Sequence, residues 1–297
     1  MGTLLNVEGR LVPPERAFVP VLDRGFLYGD SVYDVVRTYG GRVFELGRHL
    51  ARMERTASRI GISLPSRSTL EAELARTMEA AGNPESYARF MVTRGEGRFG
   101  LSPHLAEGES RLIILVKPLE PPAAEQYERG LRMAVARTRR NPPQALDPAL
   151  KTGNYLNGIL ALREAHAAGA DDALMLDIEG QVTEASTSNV FCVKGDTVVT
   201  PPLSLGMLEG VTRALLIDVA RAEGVNLREE PHGIDAFVTA DEVFVTSTIR
   251  EVMAITSLAL LESGATDWRR VADGKPGPMT RRLHAAFRRY VERTHLR

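Results

Sequence analysis

A single cysteine, Cys192, stands among 297 residues, so no intramolecular disulfide can form and the chain suits a reducing compartment. No apolar run is long enough to span a bilayer, and residues 1–10 lack the charged leader and apolar core of a secretion signal. The expectation is a cytoplasmic protein with no membrane role. No charge of one sign prevails either: 37 basic residues face 38 acidic ones, and no basic run carries interleaved aromatics. Nucleic acid is therefore not an expected partner, and no metal site is expected. Lysine is scarce. Lys117, Lys151, Lys194 and Lys275 are the only four among the basic residues, so any lysine chemistry has four candidates.

What is present is enough for a sizeable core: the chain is 43% hydrophobic, and its length suits two domains better than one. Strand-like runs appear at 4–7, 32–39, 42–45, 87–93 and 111–117, with Gly40-Gly41 reading as a hairpin turn. Helices are expected at 48–60 and 68–81, the second stopped by Gly82-Asn83-Pro84. Pro118-Leu119-Glu120-Pro121-Pro122 continues neither a helix nor a central strand. It divides the chain into a small α/β domain over 1–117, a linker over 118–124 and a larger α/β domain over 125–297. In the larger domain, strands expected at 131–138, 172–177, 181–193, 197–200 and 242–247 alternate with helices at 153–168, 210–223 and 278–293.

Gly95-Glu96-Gly97-Arg98-Phe99-Gly100 matches a dinucleotide fingerprint, but Leu101-Ser102-Pro103 follows where a helix should open on the phosphates. It reads better as an inter-strand loop that offers Arg98 to a carboxylate. A lysine that bonds covalently to a carbonyl should be desolvated and close to an anion site. Lys117, Lys194 and Lys275 lie in or beside turns, whereas Lys151 leads through Thr152-Gly153 into an apolar helix. Gly210-Val211-Thr212 opens another helix, whose free amides can cradle an anion. Thr246-Ser247-Thr248 ends a strand with three hydroxyls, and Glu184 leads a run of small hydroxyl residues. Each of these signals is weak alone.

Together they resemble a known family. Lys151-Thr152-Gly153-Asn154-Tyr155-Leu156-Asn157, Glu184 with its hydroxyl run, and Gly210-Val211-Thr212-Arg213 follow in the order found in fold type IV pyridoxal-phosphate enzymes, the class IV aminotransferases. The upstream runs Arg24-Gly25-Phe26-Leu27-Tyr28-Gly29-Asp30-Ser31-Val32-Tyr33-Asp34 and Arg48-His49-Leu50-Ala51-Arg52-Met53 resemble that family's N-terminal signatures. The resemblance implies a two-domain α/β architecture like that of D-amino acid aminotransferase, a homodimer, and pyridoxal 5′-phosphate as cofactor. It implies that Lys151 bonds the cofactor and moves the substrate proton, and that Glu184 meets the pyridine nitrogen. Arg52, Val211, Thr212, Ser247 and Thr248 are implied at the phosphate, and Tyr155 near the phenolic oxygen. Tyr33 is implied at the substrate, an amino donor and a 2-oxo acid exchanging an amino group in a ping-pong cycle. Arg98 from its loop, and Ile249, whose bulk would narrow the site, are further substrate-binding candidates.

Substrate choice stays open among three enzymes. An L-branched-chain transaminase is favoured by Tyr155 and by Gly274-Lys275-Pro276-Gly277-Pro278. The alternatives are a D-amino acid or (R)-amine transaminase and an aminodeoxychorismate lyase; a protein that binds the cofactor without turnover is the non-enzyme alternative. Ile249-Arg250 departs from the small residues usual in the branched-chain group, leaving Arg250 to recruit a second carboxylate or point to solvent.

Overall fold

In the computed structural model, which describes residues 2–262 and 265–296, the chain divides into two units. The first comprises Met1–Glu120 and Leu150–Asn154, and the second Pro121–Ala149 and Tyr155–His295. The division after Glu120 falls within the expected linker. The lysine segment Leu150–Asn154, however, groups with the first unit and not with the second.

The first unit is built on alternation. In β5 (Ser86–Thr93) Ser86, Ala88, Phe90 and Val92 are buried while Tyr87, Arg89 and Met91 between them are half-buried, the period of a strand with one face on a core. Around it lie β1 (Leu4–Val7), β2 (Arg10–Val12), β3 (Ser31–Tyr39), β4 (Arg42–Val43) and β6 (Arg111–Pro118), in the order β2-β1-β6-β5-β3-β4. α1 (Arg24–Tyr28) precedes β3, while α2 (Leu46–Ile60) and α3 (Arg67–Ala81) supply Leu50, Met53, Leu70 and Leu74 to the core under the sheet. Gly61 and Gly82 stop these two helices in the left-handed conformation.

In the second unit, α4 (Ala124–Arg129), β7 (Leu131–Val135), α5 (Pro143–Leu146) and α6 (Leu156–Ala167) come first. β8 (Asp172–Leu176), β9 (Val182–Ala185), β10 (Asn189–Lys194), β11 (Thr197–Thr200), α7 (Val211–Ala222) and β12 (Asn226–Glu229) follow. α8 (Ile234–Val238), β13 (Glu242–Ser247), β14 (Glu251–Glu262), β15 (Ala265–Arg270) and α9 (Pro278–His295) complete it. Strands pair in the order β10-β13-β14-β7-β8-β9, and β9 pairs back onto β10, so this part of the sheet closes on itself. Leu174, Val190, Phe237, Val245 and Ile255 lie in its main core.

Two expectations about the elements change. The run over 181–193 is two strands, β9 and β10, because Ala185 N donates to Ser188 O at 2.7 Å and turns the chain. The helix expected from 153 starts at Leu156. Residues Lys151 to Gly153 lie instead against β3: Tyr33 N donates to Lys151 O at 3.1 Å, Val32 bridges Thr152, and Gly153 N donates to Ser31 O at 3.0 Å. A Cβ on Gly153 would meet Ser31 Oγ and press on Gly29 O, so a larger residue would have to displace them. Among the described residues, no helix is long and apolar enough to cross a membrane.

Candidate active site

Two sets of polar residues stand out, one in each unit. In the first, Lys151 is held by backbone pairing to β3, and its own amide donates to Thr56 Oγ1 at 3.3 Å. Its ammonium lies 4.6 Å from the centre of the Tyr33 ring. The same ring carries the Arg89 guanidinium at 4.1 Å. Arg89 Nε is buried without a hydrogen-bond partner, and burial pulls the guanidinium below its ordinary pKa. An arginine so placed is short of an anion.

Arg52 reaches the same set from α2. Its Nε donates to Asp34 Oδ2 at 2.9 Å and its Nη2 to Asp34 Oδ1 at 2.7 Å, while His49 Nδ1 lies 2.9 Å from Asp34 Oδ1. All three side chains are buried. Burial alone would raise the Asp34 carboxyl, but the charges and hydrogen bonds of Arg52 and His49 overcome it and hold the group below the usual carboxylate range. Burial drives His49 the other way, below its ordinary value, with Asp34 opposing and Arg52 and Lys151 adding to the effect.

In the second unit, Glu184 on β9 is buried. Its Oε1 accepts from Arg140 Nε at 2.8 Å and its Oε2 from Leu208 N at 3.2 Å. Arg140 Nη1 in turn donates to Asn157 Oδ1 at 3.0 Å. Burial, then the negative charge of Glu184, pushes the Tyr155 phenol well above its usual range, so it stays a donor. On β10, Asn189 pairs with Glu184 and with Thr246, and its Nδ2 donates to Leu208 O at 2.9 Å.

Gly210 caps α7 and, having no side chain, makes no cap hydrogen bond to the first turn. The amides of Val211 and Thr212 therefore lack intrahelical acceptors and face outward from the helix end. A Cβ on Gly210 would collide with Asn189 Oδ1, so this approach needs glycine. Thr246, across from Asn189, has a buried Oγ1 with no hydrogen-bond partner. Arg213 on the first turn is fixed by Pro201 O and Glu229, both at 2.8 Å. Free amides, an orphan hydroxyl and a glycine-only gap fit an anionic group such as a phosphate. Ser247 ends β13, and Thr248 and Ile249 follow in the turn, where Ser247 Oγ accepts from Arg250 N at 3.1 Å.

The structure thus groups Lys151, Tyr33 and Arg52 in one set, and Glu184, Tyr155, Val211, Thr212, Ser247, Thr248 and Ile249 lie in the unit that holds the other. Arg98 joins neither: it pairs with Glu107 at 2.8 Å, and both side chains are exposed. Arg250 is half-buried, and its Nη1 donates to the buried Asp172 at 2.5 Å. Arg89 and Arg140 escape sequence reasoning, and Asp34 enters it only as the last residue of the N-terminal signature. Arg89 alone carries a signal, as a cation on an otherwise apolar strand.

The model of the amino-transferase class IV family matches residues 31–258. A protein of Methanocaldococcus jannaschii, provisionally named a branched-chain-amino-acid aminotransferase, is 34% identical over 96% of this chain and 95% of its own length. The D-alanine aminotransferase of Bacillus licheniformis is 30% identical, with 98% and 97% covered. Among solved structures, the T.th. branched-chain amino acid aminotransferase with pyridoxamine 5′-phosphate superposes with a TM-score of 0.89 at 29% identity, covering 98% of this chain and 94% of that one. The same enzyme complexed with N-(5′-phosphopyridoxyl)-L-glutamate gives 0.87, with the same identity and coverage. The chain belongs to the class IV aminotransferases. It is a pyridoxal-phosphate-dependent transaminase of fold type IV.

Proposed function

We propose that this transaminase exchanges amino groups between an L-branched-chain amino acid and 2-oxoglutarate. The observation that carries the dicarboxylate half is Arg89, a cation short of an anion on the Tyr33 ring that Lys151 also faces. The glutamate adduct in the T.th. relative supports it. The branched-chain half is supported by the relatives' names, divided though these are between branched-chain and D-alanine enzymes.

Pyridoxal phosphate, when bound, supplies an electron sink for the substrate's Cα. Lys151 Nζ would hold the cofactor and, once displaced by the amino donor, take the Cα proton and return it on the cofactor side. Glu184, with Arg140 as its counter-charge, would keep a proton on the ring nitrogen. The Tyr155 hydroxyl, held protonated, would donate to the phenolic oxygen. The amides of Val211 and Thr212, the hydroxyls of Ser247 and Thr248, and the Arg52 guanidinium would hold the phosphate. Asp34 and His49 would orient Arg52, and Ile249 would narrow the pocket for an apolar side chain.

We also propose a cytoplasmic homodimer. Phe18, Val21, Phe26, Phe99 and Leu101 are exposed, yet the loop bearing Phe99 and Leu101 is braced: Arg24 donates to Gly100 O and Leu101 O at 2.9 Å. Apolar side chains presented on a fixed frame suit a partner surface. Light scattering should give twice the 32.5 kDa chain mass.

The test is a panel of single half-reactions followed by cofactor absorbance, with L-leucine, D-alanine, (R)-1-phenylethylamine and aminodeoxychorismate. L-Leucine should convert the cofactor, and 2-oxoglutarate should restore it. Conversion by D-alanine without L-leucine would overturn the substrate assignment.

A further inference from the structure

We propose that Arg250 is a positioning residue: through Asp172 it locks the turn at 247–250 to the turn that follows Glu184, and it does not receive substrate carboxylates. The proposal rests on the placement of Glu184, Ser247 and Thr248 at the cofactor. Its ground is one buried carboxylate that serves two turns. Asp172 opens β8 and is buried. Its Oδ1 accepts from its neighbour Ala173 N at 2.7 Å and from the Ser186 hydroxyl. Its Oδ2 accepts from Arg250 Nη1, which also lies 3.4 Å from Ser188 Oγ. Ser186 and Ser188 belong to the tight turn closed by Ala185 N to Ser188 O, directly after Glu184.

The 247–250 turn is held at further points. Arg250 N donates to Ser247 Oγ at 3.1 Å, and the Tyr127 hydroxyl donates to Arg250 O at 3.1 Å. The next residue, Glu251, is buried with φ at 55°, a conformation a glutamate keeps only under restraint. His284 Nε2 at 2.9 Å and Arg288 Nε at 2.6 Å hold its carboxylate from α9. A guanidinium engaged by a buried carboxylate and set in so restrained a turn is poorly placed to bind a passing substrate. It is well placed to fix the distance between Glu184 and the hydroxyls of Ser247 and Thr248.

The two roles separate by experiment. Full-length apo-protein carrying Arg250→Ala, Arg250→Lys, Asp172→Asn or Arg250→Ala with Asp172→Asn is titrated with pyridoxal phosphate, and KM is measured for L-leucine and L-glutamate. Kd and KM are read per cofactor-binding site, so loss of folded protein does not mimic the effect. The expected result is a cofactor Kd raised at least tenfold in Arg250→Ala and Asp172→Asn. The double variant should be no weaker than the worse single one, Arg250→Lys should lie nearer wild type, and both KM values should rise by the same factor. A wild-type Kd in Arg250→Ala, or a KM increase confined to L-glutamate, overturns the proposal while leaving the transaminase assignment intact. Failure of the wild-type protein itself to bind pyridoxal phosphate would overturn the placement on which both rest.

Discussion

Arg140 Nε donates to Glu184 Oε1 at 2.8 Å, so the carboxylate assigned to the cofactor's ring nitrogen has its own cationic partner. A hydrogen bond to a charged group contributes about 1.5–3 kcal/mol, or about 10- to 100-fold in rate if it acts in the transition state. Arg140→Met should lower kcat by that factor at saturating cofactor, and Arg140→Lys should recover part of it. Unchanged kcat would show that the pair is only structural.

Lys151→Ala should leave the protein folded but unable to fix the cofactor covalently. Borohydride reduction followed by peptide mass analysis should label Lys151 in the wild type and nothing in the variant. Turnover should fall by about 10³-fold or more, since proton transfer by a placed base accounts for about 10²–10⁴.

Arg89→Met tests the dicarboxylate assignment. KM for L-glutamate should rise about 10- to 100-fold, the worth of one charged hydrogen bond, while kcat/KM for L-leucine changes by less than about threefold. Equal losses for both substrates would assign Arg89 to packing against Tyr33.

His49 makes stability depend on pH. Its folded pKa is depressed, so the unfolded chain takes up the proton first as pH falls. The neutral, buried form is fully favourable above the unfolded value near 6.5 and loses ground below it, by up to about 1.4 kcal/mol per pH unit. Apo-protein melting should therefore fall between pH 7.5 and 5.5, and the fall should be shallower in His49→Gln. Asp34 has the same sign, with its window below the usual carboxylate range. Parallel profiles for wild type and His49→Gln would refute the assignment.

Gly210→Ala should weaken cofactor binding roughly tenfold or more, because overpacking of this kind costs about 1–3 kcal/mol. The clash is with Asn189 Oδ1, within the cradle itself. Equilibrium titration of apo-protein with pyridoxal phosphate reads it directly.

Much of this is legible in the sequence because the family's motifs are local: Lys151 in its seven-residue run, Glu184 before its hydroxyls, Gly210 at a helix start. Arg89 and Arg140 are not. Each acts on a residue distant in sequence, and in an arginine-rich chain neither carries a motif of its own. The β14 run is equally silent, since its Ala, Leu and Met residues suit a helix as well as a strand. Its neighbours decide the matter, with β13, β7 and β15 all pairing to it. Lys151 itself reads in the sequence as entering a helix, because its extended geometry comes from pairing with β3 and not from its own neighbours.

The return of Leu150–Asn154 to the first unit also bears on how the protein is made. On the ribosome the sheet from β1 to β6 emerges whole, yet it lacks Lys151 until a later stretch of chain has been synthesised and laid against β3. A fragment ending at Glu120 would contain Tyr33, Arg52 and Arg89 but not residue 151. Under the proposed roles, cofactor capture would wait for Lys151 and for Glu184 and Thr248 after it, while within the first unit the lysine segment is made after the whole sheet.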